Sequence, residues 1–186
     1  SALAKQYQLP DDAGKNNNTF NHCRVQNESG VTVIRCPSSV FNQVYSRDRV
    51  VFNASPVRLE LTGDVTVNTE VNVRSSAELL VVVSGRLTLN SNAGLVGNVE
   101  TTGGVTLNSD LQGSIQTNGD VSVNSNGSVS GRVASGGSVT NNSRIGGEVV
   151  AAGAVTNNSN ARINGPVTAG GSLTNNGLIN GNTDVE

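Results

Sequence analysis

The chain has 186 residues, with 12 Lys or Arg against 14 Asp or Glu, 22 Gly, 2 Cys, 1 His and neither Trp nor Met. A formal charge of -2 with only two lysines, Lys5 and Lys15, argues against an electrostatic nucleic-acid binder, because neutralising phosphates takes clustered Lys and Arg. No apolar run approaches the roughly 20 residues of a membrane-spanning helix, and Leu79-Leu80-Val81-Val82-Val83 reads as a buried strand of one domain, or of one domain with a cap.

Tyr7, Phe20, Phe41, Tyr45 and Phe52 are all the aromatic residues, and they fall with both cysteines and His22 in the first 52 positions, which marks a composition boundary. The chain opens Ser1-Ala2-Leu3-Ala4 without a signal peptide, as a processed chain does. Residues 1–19, with Asp11-Asp12 and Asn16-Asn17-Asn18, read as an extended polar arm. Val31-Thr32-Val33-Ile34 and Val50-Val51-Phe52 read as strands. Cys23 and Cys36 are expected to form a disulfide, closing a loop of about 14 residues at a gain of about 3 kcal/mol in the chain-entropy model. With only His22 nearby, a zinc site is disfavoured. A disulfide implies an oxidising compartment, so a secreted or cell-surface (periplasmic or extracellular) location is expected. Residues 1–56 form the arm and disulfide-containing cap, whose aromatics cover the first coil and blunt its edge. The alternative is a small recognition module that works through its loops.

From Val57 apolar and polar residues alternate with the period of a half-buried strand, and no window carries a helical stripe. Thr88, Thr106, Ser122, Thr140, Thr156 and Thr174 form a column with gaps of 18, 16, 18, 16 and 18 residues. Thr66 is an earlier member, and the surplus residues between it and Thr88 lie around Thr69 to Ser76 as a longer corner. An Asn follows each hydroxyl two residues on: Asn68, Asn90, Asn108, Asn124, Asn142, Asn158 and Asn176. Next comes an apolar-x-Gly-x-apolar unit, as in Leu111 to Ile115 and Ile163 to Val167. The pattern repeats after 34 residues, as Gly97, Gly131 and Gly165 show. Such repetition predicts an all-β fold over 57–186: a parallel β-helix (β-solenoid) of short 16–18-residue coils. The alternation arises at one corner, where Ser91-Asn92-Ala93-Gly94 and Ser125-Asn126-Gly127-Ser128 are two residues longer than Ser109-Asp110. The inward Gly and the small residues Thr101, Thr117, Ser135, Ala151 and Ala169 leave a narrow core without a pocket.

The Thr-x-Asn column reads as a structural ladder in which stacked hydroxyls and amides bond between coils. Ice binding, the minor alternative, wants two parallel ranks of Thr, and here one rank includes Ser122. Asn141, Asn157 and Asn175 replace Val or Leu at an inward position; either an internal amide ladder forms or the strand stops at the Thr. Carboxylates do not line up: Asp64 and Asp120 share a coil position, Arg86 takes it between them, and Glu100, Asp110 and Glu148 sit elsewhere. Neither the convergent acids of a glycosidase or lyase nor the recurring Asp of calcium-binding repeats is present. Short-coil acyltransferases use a catalytic His near a cleft, whereas His22 lies outside the repeats. No catalytic residue, cofactor or metal is expected. Asn-x-Ser/Thr triplets at Asn17, Asn27, Asn53, Asn126, Asn141 and Asn157 arise by chance in Asn-rich corners.

Ile145-Gly146-Gly147-Glu148-Val149 and Ile163-Asn164-Gly165-Pro166-Val167 resemble the bactofilin-type, polymer-forming β-solenoid. Together with the run from Leu79 to Asn90 they are similar also to the Asn-rich solenoids of surface proteins associated with MSHA-type pili. The resemblance covers about residues 57–186 and implies a right-handed, non-enzymatic scaffold that self-associates or presents an adhesive part. The cysteine-bearing cap departs from cytoplasmic bactofilins and argues against cytoskeletal polymerisation.

The last coil, Ile179-Asn180-Gly181-Asn182-Thr183-Asp184-Val185-Glu186, carries nothing to cover it. An uncapped coil exposes unpaired backbone groups that add strands from other chains, so this edge is expected to be used, either by further coils of a longer parent chain or by end-to-end contact with another subunit, with Ile179, Asn182 and Val185 as the candidate self-association edge. The expected function is an extracellular structural or adhesive β-helical scaffold, a stalk or filament subunit presenting or polymerising through its ends. Its expected partners are copies of itself, neighbouring surface or pilus proteins, and glycans. A carbohydrate-binding or carbohydrate-active β-helix is the alternative, with Tyr7, Phe41 and Tyr45 stacking on sugars; buried aromatics would instead mean a cap.

Overall fold

Three-residue alternations bounded by Gly or Asn are too short to fold back on themselves as hairpins, so the chain turns a corner after each and stacks on the next coil. In a computed structural model describing residues 3–16, 18–73 and 75–186, this produces three sheets of 9, 10 and 7 strands. Consecutive strands pass from the second sheet to the third, then to the first, and the order repeats along the chain. The fold is the expected all-β parallel solenoid. Coils stack about 4.8 Å apart, in matched register: Val105 lies between Leu87 and Val121, and Thr106 between Thr88 and Ser122. The outset at Ser1-Ala2, the triplet at Asn17, and Arg74 in the longer corner lie outside the described residues.

The core is a stack of inward columns. In the first sheet Val50, Val71, Leu95, Leu111, Val129, Ile145 and Ile163 are buried one above another. In the second sheet the column that begins with Leu61 and Val83 continues as Thr101, Thr117, Ser135, Ala151 and Ala169, so the core narrows towards the C-terminus. The corner glycines permit the close stacking. A Cβ on Gly113 would stand 1.9 Å from the carbonyl oxygen of Gly97, so no larger residue fits there. The wide corners close as turns, with Ala93, Gly127 and Ala161 donating their N–H to the carbonyls of Asn90, Asn124 and Asn158 at 2.9, 2.9 and 3.0 Å. The surplus before Thr88 is taken up between the strand Glu70–Asn72 and the strand Leu79–Ser84, and includes a 3-10 turn at Ser76–Glu78.

The first residues depart from an extended arm. Strand β1 (Gln6–Leu9) pairs in parallel with a strand at Arg49–Phe52 and buries Tyr7 and Leu9, because their alternation gives the segment one apolar face. Strand β2 (Arg24–Glu28) folds antiparallel onto β3 (Val31–Pro37), which itself pairs in parallel with Val57–Thr62. Parallel pairing in the second sheet thus begins ahead of Val57. A 3-10 helix, Ser38–Gln43, packs at the end of the third sheet and buries Val40 and Phe41. Phe20 packs edge-on between Tyr7 and Phe41, with ring centroids 5.2 and 6.2 Å away. Cys23 and Cys36 are joined in a disulfide.

Candidate functional site

The outer face of the third sheet carries the Thr-x-Asn column. Thr66, Thr88, Thr106, Ser122, Thr140, Thr156 and Thr174 stand in register, one per coil. Among the described residues none of these hydroxyls makes a hydrogen bond within the chain, whereas the amides beside them do. Asn90 donates Nδ2 to Oδ1 of Asn68 at 2.6 Å, Asn124 to Asn108 at 2.7 Å and Asn158 to Asn142 at 2.5 Å. The bonds skip every second interval: the donor always stands at a wide corner and the acceptor at a narrow one. Asn176 enters no such pair. The face therefore presents one rank of free hydroxyls beside a rank of amides bonded in twos, and not two ranks of Thr.

Inside the third sheet a second amide column forms. Asn141, Asn157 and Asn175 end the strands Val139–Asn141, Val155–Asn157 and Leu173–Asn175, and the first two are wholly buried. Asn141 donates Nδ2 to Oδ1 of Asn157 at 2.9 Å and to the carbonyl of Arg162 at 3.0 Å. Asn157 in turn donates to Oδ1 of Asn175 at 2.9 Å and to the carbonyl of Leu178 at 3.2 Å. The oxygens of Asn141 and Asn175 also accept the N–H of Ser143 and Gly177, each at 3.1 Å. Of the two arrangements open to these residues, the internal ladder is the one adopted. Thr101 and Thr117 make a smaller inner ladder in the second sheet, their hydroxyls 2.7 Å apart and both bonded to the carbonyl of Gly103.

Among the described residues the last strands of the three sheets, Leu178–Ile179, Thr183–Val185 and Leu173–Asn175, have no outer neighbour. Ile179 is half-buried, Asn182 is exposed, and Val185 is 53% exposed beside Asp184 and Glu186. Leu178, 44% exposed, belongs to the same end; the sequence reading missed it because the motif it precedes begins at Ile179.

Four of the five aromatic side chains, Tyr7, Phe20, Phe41 and Phe52, are buried, and Tyr45 alone is exposed. Arg47 lies over its ring, 4.8 Å from the centroid. The pair forms one end of an open groove of about 600 Å³ whose walls include Asn68, Asn90, Asn92, Asn108 and Asn126. The winding lines this groove with corners from four later coils, a proximity no local motif signals. One ring, one guanidinium and several amides can hold a neutral, hydroxyl-rich ligand; no side chain in this set is a nucleophile with a base beside it.

Beneath the Tyr45 loop, Asp48 ties the first coils together. Its carboxylate accepts the N–H of Lys5 at 2.9 Å and of Tyr45 at 3.0 Å, and its carbonyl accepts the Thr69 hydroxyl. Burial pushes the Asp48 carboxyl up, but the two backbone N–H groups, with the charges of Arg47 and Lys5, outweigh this and hold it below the ordinary value. Burial and the Asp48 charge push the Tyr7 phenol up. His22 is exposed beside buried Cys23. Among the described residues no three His, Cys, Asp or Glu converge as metal ligands, and no helix is long and apolar enough to cross a membrane.

Coils bonded only to their neighbours, with ladders along the stack and an unpaired final edge, define a β-solenoid scaffold. A family model described as Bactofilin, polymer-forming cytoskeletal, matches residues 87–184, more than half of the chain, and the chain belongs to the bactofilin family. No curated protein and no solved structure matches it. Membership corrects two expectations. Bactofilins are cytoplasmic cytoskeletal polymers, which overturns the secreted or cell-surface location. The cap does not argue against a cytoskeletal polymer either, since a disulfide records that two thiols meet in the fold and does not by itself fix the compartment.

Proposed function

We propose that the chain is a structural subunit that self-associates through its C-terminal coil. The observation that carries this is the match of residues 87–184 to a polymer-forming family; exposed Leu178 and Val185 beside the last described strands offer such a contact an apolar patch, while β2, the Ser38–Gln43 helix and Phe20 cover the first coils. Edge backbone groups and apolar side chains left in water favour pairing with another strand. Two C-terminal faces meeting about a two-fold axis give a closed dimer; a C-terminal face meeting the N-terminal end of the next copy gives a filament. The charges of Asp184 and Glu186 oppose the first arrangement weakly, and added salt screens them. Sedimentation velocity across a wide concentration range tests the proposal. The expected result is concentration-dependent association that is weakened by Val185→Lys or Leu178→Lys; a monomer at every concentration would falsify it.

A second reading is favoured by the groove: the Tyr45 ring and the amides of Asn68, Asn90 and Asn108 hold an oligosaccharide. Tyr7 and Phe41 take no part, being buried. Saccharide binding, measured by calorimetry, is expected to disappear in Tyr45→Ala; binding that survives this change sinks the reading.

A further inference from the structure

The groove beside Tyr45 carries a charge that a neutral sugar would leave unanswered. Arg47 Cζ lies 4.8 Å from the centroid of the Tyr45 ring, and Arg47 Nε stands 3.9 Å from Oδ1 of Asp48, beyond hydrogen-bond range. Both Asp48 oxygens are already taken, by the N–H groups of Lys5 and Tyr45. The ring supports the guanidinium and Asp48 draws its Nε edge, which leaves the opposite edge, with both Nη groups, to be paired from outside. Among the described residues that edge makes no ion pair or hydrogen bond, and the side chain is 43% exposed. No Asp or Glu lines the groove. The amide ladder biases its walls the same way. Asn68 and Asn108 use their oxygens to accept the Nδ2 groups of Asn90 and Asn124, so each has a donor left free; of the paired amides in the groove, Asn90 alone keeps a free oxygen.

We propose that the groove selects a saccharide bearing a carboxylate, which the Nη edge of Arg47 holds as a bidentate pair while the wall amides bind its hydroxyls. This rests on the groove holding an oligosaccharide. The planar fork of a guanidinium matches the two oxygens of a carboxylate, which a sugar hydroxyl does not. A guanidinium already laid against a ring also loses less freedom when it pairs than one that moves freely in water. Arg47 is therefore the specificity-determining residue of the groove, and Tyr45 serves in part by holding it.

The test is calorimetry on the full chain with a galacturonic-acid trisaccharide and with its methyl ester, which keeps the hydroxyls and loses the charge. The acid is expected to bind about tenfold more tightly than the ester, with an advantage that shrinks as salt is added. Arg47→Gln is expected to bring the two to the same affinity, and Arg47→Lys, which keeps the charge without the fork, to leave a smaller preference. Acetate at the same concentration is expected not to displace the acid; displacement would make this a plain anion site and overturn the saccharide as its ligand. Equal affinity of acid and ester in the wild type, or a preference that survives Arg47→Gln, overturns selection by Arg47 while leaving the saccharide reading intact. Binding of neither form overturns both.

Discussion

At the N-terminal end the core closes on the rings of Tyr7, Phe20 and Phe41, a disulfide and an antiparallel strand; at the C-terminal end the same sheets stop on an Asn amide, exposed Leu178 and exposed Val185. The difference lies in how each end satisfies itself. Rings and methyl groups need only be covered, and residues from the same chain cover them. Amides and strand edges need partners with matching donors and acceptors, which only another coil offers. Within the described residues, then, the first coils close on their own side chains, while the last strands hold groups that only an adjoining coil could satisfy.

The contrast can be broken first at the closed end. Phe20→Ala removes a fully buried ring wedged between two others and is expected to cost about 3–5 kcal/mol, seen as early urea unfolding with hydrogen exchange accelerated in residues 3–52 before the later coils. Replacing Cys23 and Cys36 together by Ala is expected to cost about 3 kcal/mol, again confined to the first coils by hydrogen exchange.

In the later coils, Asn157→Ala leaves Asn141 without one of its acceptors and is expected to cost about 1–3 kcal/mol. Changing Asn141, Asn157 and Asn175 together to Val leaves no amide orphaned but removes the acceptors of the Ser143 and Gly177 N–H groups, so the loss in the same urea assay is expected to be smaller than the sum of the three single changes. A large loss in the triple variant would show that the amides strengthen the stack. Asp48→Asn sharpens the comparison through pH. Its carboxyl titrates below the ordinary value in the folded chain, so it contributes stability above the unfolded value near 4, which is lost as pH falls through the folded one. The variant is expected to be less stable at neutral pH and to show a flatter fall of stability below about pH 4. The smallest effect is expected at Thr106→Ala, within about 0.5 kcal/mol, because that hydroxyl bonds nothing within the chain.

The repeat was legible because every coil restates it: the spacing of Thr88, Thr106 and Ser122 directly gives the register seen between their strands. The first coils were less so, because their contacts join positions far apart that occur once. Lys5 meets Asp48, and Asp48 meets Thr69, with no periodicity to announce either bond. Tyr7 and Leu9 carried a strand signal too short to outweigh the polar residues around them. At the inner amides the sequence identified the positions but left two arrangements open, since choosing between them required knowing whether Arg162 and Leu178 present their carbonyls to the column. Near the last strands the repeat pointed to Ile179, Asn182 and Val185, whereas the exposure of Leu178 had no motif to signal it.

The alternation of wide and narrow corners also has a mechanical side. The wide turns that start at Asn90, Asn124 and Asn158 leave Ser91-Asn92, Ser125-Asn126 and Ser159-Asn160 exposed along one edge on every second coil, about 10 Å apart at the spacing of stacked strands. That edge is a toothed rail. A neighbour lying alongside it, whether another copy or a long polymer, can shift only in whole teeth, so two rods in contact would lock in steps of two coils and resist sliding by one.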